Sequence, residues 1–172
     1  NSCNNSSDGV DLVFLKLSSN PCPGTPLVYD ADGNRYPTIQ IGDQCWFGEN
    51  LNVGIKVTSV ESNMAHSNQF NNGIIEKYAL NNDEAMIPLY GGLYEWDEMM
   101  GYSEEVGSQG ICPEGWHIPS LAEWDELQDF YKSIDTGDHL KEGGDSGFEG
   151  QLAGDRHRYG FFASFESSGF FW

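Results

Sequence analysis

Hydrophobic positions along this chain come in short runs broken by turn residues, a rhythm of strands and loops rather than of long helices. Residues 1–9 are polar. The stretch Val10-Asp11-Leu12-Val13-Phe14-Leu15-Lys16-Leu17 follows, too short for a core helix and rich in strand formers. Three prolines then fall within Asn20-Pro21-Cys22-Pro23-Gly24-Thr25-Pro26, which excludes a helix or a central strand. The expected division is an N-terminal arm over residues 1–26, an apolar strand at 10–17 plus a Pro-rich linker, and a main domain over residues 27–172.

The main domain opens with Leu27-Val28-Tyr29, a turn at Asp30-Ala31-Asp32-Gly33-Asn34, and a strand from Arg35 to Ile41. Asp-Gly between apolar runs is a strong hairpin signal. The same acidic turn does not fit a calcium loop of the EF-hand type: Arg35 falls where Gly is needed and Ile41 where the bidentate Glu belongs. After a second turn at Gly42-Asp43-Gln44 comes Cys45-Trp46-Phe47. Leu93, Trp96 and Met100 share one helical face and predict a helix there. A second helix is marked more sharply. Ser120 with Glu123 three residues on makes a capping box, and Leu121, Trp124, Leu127 and Tyr131 follow at helical spacing, leaving Glu123, Glu126 and Asp129 to face water. In the tail, Gly160-Phe161-Phe162 and Gly169-Phe170-Phe171-Trp172 suggest strands joined by turns.

Charge narrows the function classes. The chain carries 8 Lys and Arg against 27 Asp and Glu, a net charge of -19. From Asp83 to Glu149 only Lys132 and Lys141 are basic. Nucleic-acid binding is not expected, because phosphate contacts need the opposite sign. Membrane insertion is not expected either, since no run approaches the roughly 20 apolar residues that cross a bilayer. The four cysteines, Cys3, Cys22, Cys45 and Cys112, form no C-x-x-C pair, so zinc-ribbon and thioredoxin readings have no support. An even count fits disulfides in an oxidising compartment. Of the three pairings available, the preferred one joins Cys3–Cys22 to staple the arm and Cys45–Cys112 within the domain.

Motifs of nucleophilic, phosphate-binding and zinc-protease chemistry are missing from the sequence, and no enzyme activity is expected. His117, between Trp116 and Ile118, reads as a hydrogen-bonded structural residue. Candidate binding residues are Asn81, Asn82, Asp83 and Glu84, whose clustered oxygens suit a sugar or a Ca²⁺ ion, with Asn82, Asp83 and Glu84 as the metal candidates. Phe170, Phe171 and Trp172 are candidates for stacking on a ligand. Trp46, Trp96, Trp116 and Trp124 sit in apolar periodic settings and are expected in the core.

The run Cys112-Pro113-Glu114-Gly115-Trp116-His117-Ile118-Pro119-Ser120-Leu121-Ala122-Glu123-Trp124 closely resembles the signature of the Fibrobacter succinogenes major paralogous domain, a family of secreted and surface proteins. Asp32 to Trp46, Tyr90-Gly91-Gly92-Leu93-Tyr94-Glu95-Trp96 and Gly147-Phe148 also match. The segment Ile118–Trp124 is similar to a stretch of sulfatase-modifying-type domains. The resemblance implies an α+β, C-type-lectin-like fold: two helices packed on a small irregular antiparallel sheet with long loops. It implies an extracellular, non-enzymatic module for adhesion or recognition of a glycan or protein at a cell surface. It does not bring catalysis, which in the formylglycine-generating members needs a cysteine pair near the C-terminus of the domain. Two departures stand out. Ala79 and Ile87 occupy the places of a frequent cysteine pair, and the usual closing strand beyond the Phe-Phe-Trp region is expected to be absent. An open sheet edge would then accept another strand. Val10, Leu12, Phe14, Leu15 and Leu17 form the candidate assembly strand, and the alternative function is a subunit of an extracellular filament, a homopolymer built by arm exchange.

Overall fold

The Asp30–Asn34 turn draws its two flanking strands together through one carboxylate. In the computed structural model, which describes residues 20–132 and 135–171, Asp30 is buried and accepts from the backbone N–H groups of Asp32 and Asn34 at 2.9 Å each. It also accepts from the Asn34 side chain at 2.8 Å and the Tyr36 hydroxyl at 2.6 Å. Gly33 takes the left-handed conformation (φ 83°) that this turn requires. Strand β1 (Leu27–Tyr29) pairs antiparallel with β2 (Arg35–Ile41), which pairs antiparallel with β3 (Gln44–Phe47), giving the order β1-β2-β3. The expected hairpin is present with its predicted bounds.

The stretch 20–26 lies along the sheet rather than standing off it as a linker. Gln40 N–H donates to Asn20 O and Thr38 N–H to Pro26 O, while Thr38 Oγ1 donates to Thr25 O at 2.6 Å. Cys22 is buried at 1% exposure and bonded to Cys45, with a Cα–Cα distance of 5.8 Å. This corrects the expected pairing. Because the Pro-rich segment docks on β2, Cys22 comes opposite Cys45, and Cys45–Cys112 and Cys3–Cys22 are both excluded. Cys112 is a buried free thiol. Cys3 and the candidate assembly strand Val10, Leu12, Phe14, Leu15 and Leu17 lie outside the described residues, as does Trp172.

Beyond the first sheet, β4 (Ile55–Val57) and β5 (Glu76–Tyr78) pair in parallel, and β6 (Asp155–Arg156) pairs antiparallel with β7 (Phe162–Ala163). Short helices α1 (Ile87–Tyr90), α2 (Trp96–Met99) and α4 (Thr136–Leu140) accompany one longer helix, α3 (Leu121–Tyr131). The architecture is α+β, with few helices and small, largely antiparallel sheets. Among the described residues no helix is long and apolar enough to cross a membrane.

Helix α3 starts where its capping box predicts. Ser120 accepts from Glu123 N–H, and the Glu123 carboxylate accepts from Ser120 N–H at 2.8 Å. Leu127, fully buried, joins Ile39, Ile41, Trp46 and Phe148 in the main core, with Trp124 and Tyr131 packed against it. Leu121 does not follow: at the first turn it is 77% exposed, because the core-facing stripe begins one turn later at Trp124. Glu123, expected to face water, is taken up by the cap and by His117 Nε2 at 2.7 Å.

The helix expected around Leu93, Trp96 and Met100 shrinks to the single turn α2. Leu93 exchanges two backbone bonds with Tyr78, so the chain is still extended there and turns helical only at Trp96. That shift of phase puts Glu98 and Met100 inside and leaves Trp96 45% exposed, against its expected place in the core. Glu98 is satisfied at 3% exposure by Glu76 N–H and the Tyr102 hydroxyl, both at 2.8 Å.

Candidate functional site

The side of the β-sheet away from β1 opens on a cleft of about 600 Å³. Its walls come from distant parts of the chain: Phe47 on β3, Trp116 before α3, Trp124 on α3, Phe148, and Phe170 and Phe171 in the tail. These rings are already in contact. Phe47 meets Trp116 at 4.5 Å between centroids, Trp46 meets Trp124 at 4.8 Å, and Phe148 meets Phe171 at 5.7 Å. Phe170 is 62% exposed and Phe171 40%, so apolar ring surface stands open to solvent at the cleft.

Strand β3 supplies the floor, and its outer edge is open. In an antiparallel pair, opposing residues alternate between those that exchange backbone bonds and those whose N–H and C=O groups point away. Gln40 and Thr38 send their N–H groups to Asn20 and Pro26, on the side of β2 away from β3. Their register partners are Cys45 and Phe47, which must therefore turn their own backbone groups outward from β2. Among the described residues nothing outside the β2–β3 ladder bonds these groups, and both residues line the cleft. The cleft thus pairs an unfilled strand edge with aromatic walls.

The polar wall is built around Arg156 on β6, whose side chain is 4% exposed. Its guanidinium lies 4.3 Å over the Tyr78 ring and donates to Ser59 Oγ at 2.6 Å and Glu95 Oε1 at 3.0 Å. Tyr78 donates to the same Glu95 oxygen at 2.9 Å. Burial, reinforced by Glu95 and opposed by the bond from Asn68 N–H, pushes the Tyr78 hydroxyl up to about 12, so it stays a donor at neutral pH. Ser59 Oγ in turn donates to Gly160 O at 2.6 Å. Gly160 (φ 88°) has no room for a side chain, since a Cβ there would meet Val60 O at 2.0 Å. This close approach locks the loop after β4 against the β6–β7 hairpin and holds the wall in place. Two further cleft groups are notable. His66 Nε2 is buried with no hydrogen-bond partner among the described residues, while Nδ1 lies 3.2 Å from Met64 O. Burial pushes the Cys112 thiol up to about 12, so it is not a nucleophile at neutral pH.

The sequence candidates divide. Phe170 and Phe171 line the cleft; Asn81, Asn82, Asp83 and Glu84 do not. Asn81 sits in the left-handed region (φ 55°) of a tight turn. Asn82 clips Ser59 by two bonds, accepting from its N–H at 2.8 Å and donating to its C=O at 2.9 Å. Asp83 accepts from Ala85 N–H, and Glu84 pairs with Lys56 at 3.4 Å. One oxygen of each expected Ca²⁺ candidate, Asn82, Asp83 and Glu84, is engaged within the chain. Among the described residues no group of three or more His, Cys, Asp or Glu side chains is placed to hold a metal ion. His117, read as structural, does bond Glu123. An open sheet edge was expected, though not at β3; what the sequence reading missed is the Arg156–Glu95–Tyr78 cluster, whose Arg156–Glu95 contact spans 61 residues.

These features define an α+β domain with an aromatic cleft beside a free sheet edge. The chain belongs to the family of the Fibrobacter succinogenes major domain, whose family model matches residues 39–172. No curated protein and no solved structure matches it.

Proposed function

We propose that this domain is a non-catalytic recognition module of the extracellular space, C-type-lectin-like in design, that captures an extended protein segment in its aromatic cleft. The observation that carries this reading is the outward-facing backbone of Cys45 and Phe47 at the floor of an apolar cleft. An added strand gains main-chain bonds from such an edge and selectivity from pockets that take alternate side chains. A glycan fits less well. Sugar hydroxyls need several free polar partners, yet two of the charged groups lining the cleft, Arg156 and Glu95, are bonded to each other, and Glu95 also to Tyr78. The disulfide Cys22–Cys45 accords with an oxidising compartment. Recognition is favoured over catalysis because burial holds the Cys112 thiol of the cleft neutral and Glu95 is ion-paired to Arg156.

The test is a binding screen of the folded chain against a displayed library of extended peptides and a glycan array, each with and without EDTA. The expected ligands are apolar peptides whose binding ignores EDTA and falls at least about tenfold in Phe171→Ala. Glycan binding that EDTA abolishes, unaffected by Phe171→Ala, would overturn the reading.

A further inference from the structure

We propose that the segment captured in the cleft is the apolar arm, residues 10–17, of a second copy of this chain, so that copies join head to tail by strand exchange. This rests on the reading of the cleft as a strand acceptor and names its occupant.

The first argument is the match of faces. A strand added beside β3 would continue both sides of that strand. One side carries Trp46, walled by Trp124 and Phe148; the other carries Phe47, walled by Trp116. Its occupant must therefore be apolar on both faces, as strands buried on both sides are. As a strand, residues 10–17 would put Val10, Leu12 and Phe14 on one face and Val13, Leu15 and Leu17 on the other, with one charge per face, Lys16 and Asp11, each near an end of the segment. A strand with one polar face would leave charges against an aromatic wall.

The second argument is reach. Asn20 is fixed beside β2, accepting from Gln40 N–H and donating from its side chain to Gln40 O at 2.8 Å. A strand on the open edge of β3 lies three strand spacings from there, about 14 Å. Leu17 is three residues from Asn20, and three residues span at most about 11 Å. Leu17 therefore cannot lie on the edge of its own domain while Asn20 keeps its place, so an arm docked in its own cleft would forfeit that end of the strand. The arm of a neighbouring copy carries no such tether. Because donor and acceptor are different surfaces, each joined copy still presents a free arm and a free cleft, and growth need not close.

The experiment uses the full chain. Sedimentation velocity and electron microscopy across a concentration series should show oligomers that lengthen with concentration. The variant carrying Leu12→Asp and Phe14→Asp, both in the arm and outside the described domain, should stay monomeric. A synthetic peptide of residues 10–17 should bind that monomer one to one and shorten wild-type oligomers. A peptide with the same two substitutions should bind at least about tenfold more weakly. Wild type that stays monomeric at every concentration overturns the exchange. If the peptide then binds only the arm variant, the arm occupies its own cleft and only the exchange between copies falls. If the peptide fails while another extended peptide binds through Phe171, the arm is the wrong occupant and the recognition reading stands. If nothing binds the cleft, both fall.

Discussion

Asp30 shows how one side chain sets the geometry of the sheet edge. Burial raises its pKa, but the bonds from Tyr36, from the Asn34 side chain and from the Asn34 and Asp32 backbones outweigh that effect and leave it below the ordinary carboxylate range. A depressed folded pKa means the anion is favoured by folding. Its contribution is complete above the unfolded value, about 3.9, and is lost as pH falls through the lower folded value. Asp30→Ala strands the Tyr36 hydroxyl and two backbone donors and is expected to cost about 3 kcal/mol near neutral pH. Urea denaturation should show that gap closing below about pH 4, where wild type protonates too. A gap that stays constant into acid would place the stability of the turn elsewhere. This residue was legible in the sequence because its partners lie within six positions. The Cys22–Cys45 pair was not, because its geometry depends on the Pro-rich segment docking along β2, which no local pattern announces.

Helix α3 and the turn α2 sit on either side of that same division. The cap of α3 is a four-residue device, Ser120 to Glu123, so its start could be read directly from the chain. Ser120→Ala removes the acceptor for Glu123 N–H and should cost about 1 kcal/mol in chemical denaturation. It should also loosen the Glu123–His117 contact, visible as changed His117 ring chemical shifts by NMR. A loss below about 0.3 kcal/mol would mean that the Glu123 carboxylate alone holds the helix start. In α2 the apolar spacing of Leu93, Trp96 and Met100 pointed to a helix that tertiary pairing cut short: once Tyr78 and Leu93 exchange backbone bonds, helix can begin only at Trp96. In the Asn81–Glu84 loop, Asn82, Asp83 and Glu84 each give one oxygen to the chain itself, at Ser59, Ala85 and Lys56. Periodicity reports what an element can do alone, and it fell short at α2, where a distant segment had the stronger claim.

For the whole molecule, two forces act on the proposed assembly in opposite directions. The disulfide fastens the root of the arm to β3, so opening it should both destabilise the domain and free the arm. Closing a loop of 23 residues is worth about 3 kcal/mol in the chain-entropy account, and Cys22→Ser with Cys45→Ser should lower stability by that much. Against association stands the net charge of -19 carried by every copy. Like-charged chains repel over a distance that salt sets, about 30 Å at 0.01 M and about 3 Å at 1 M. The bonds that would join arm to cleft are main-chain hydrogen bonds and apolar contacts, which salt screens little. Raising ionic strength should therefore remove the repulsion and leave the attraction, so oligomers of the full chain should lengthen from low to high salt. Light scattering on a salt series at fixed protein concentration measures this. Shortening with salt would show instead that opposite charges hold the copies together, and strand exchange into an aromatic cleft would not be the mechanism.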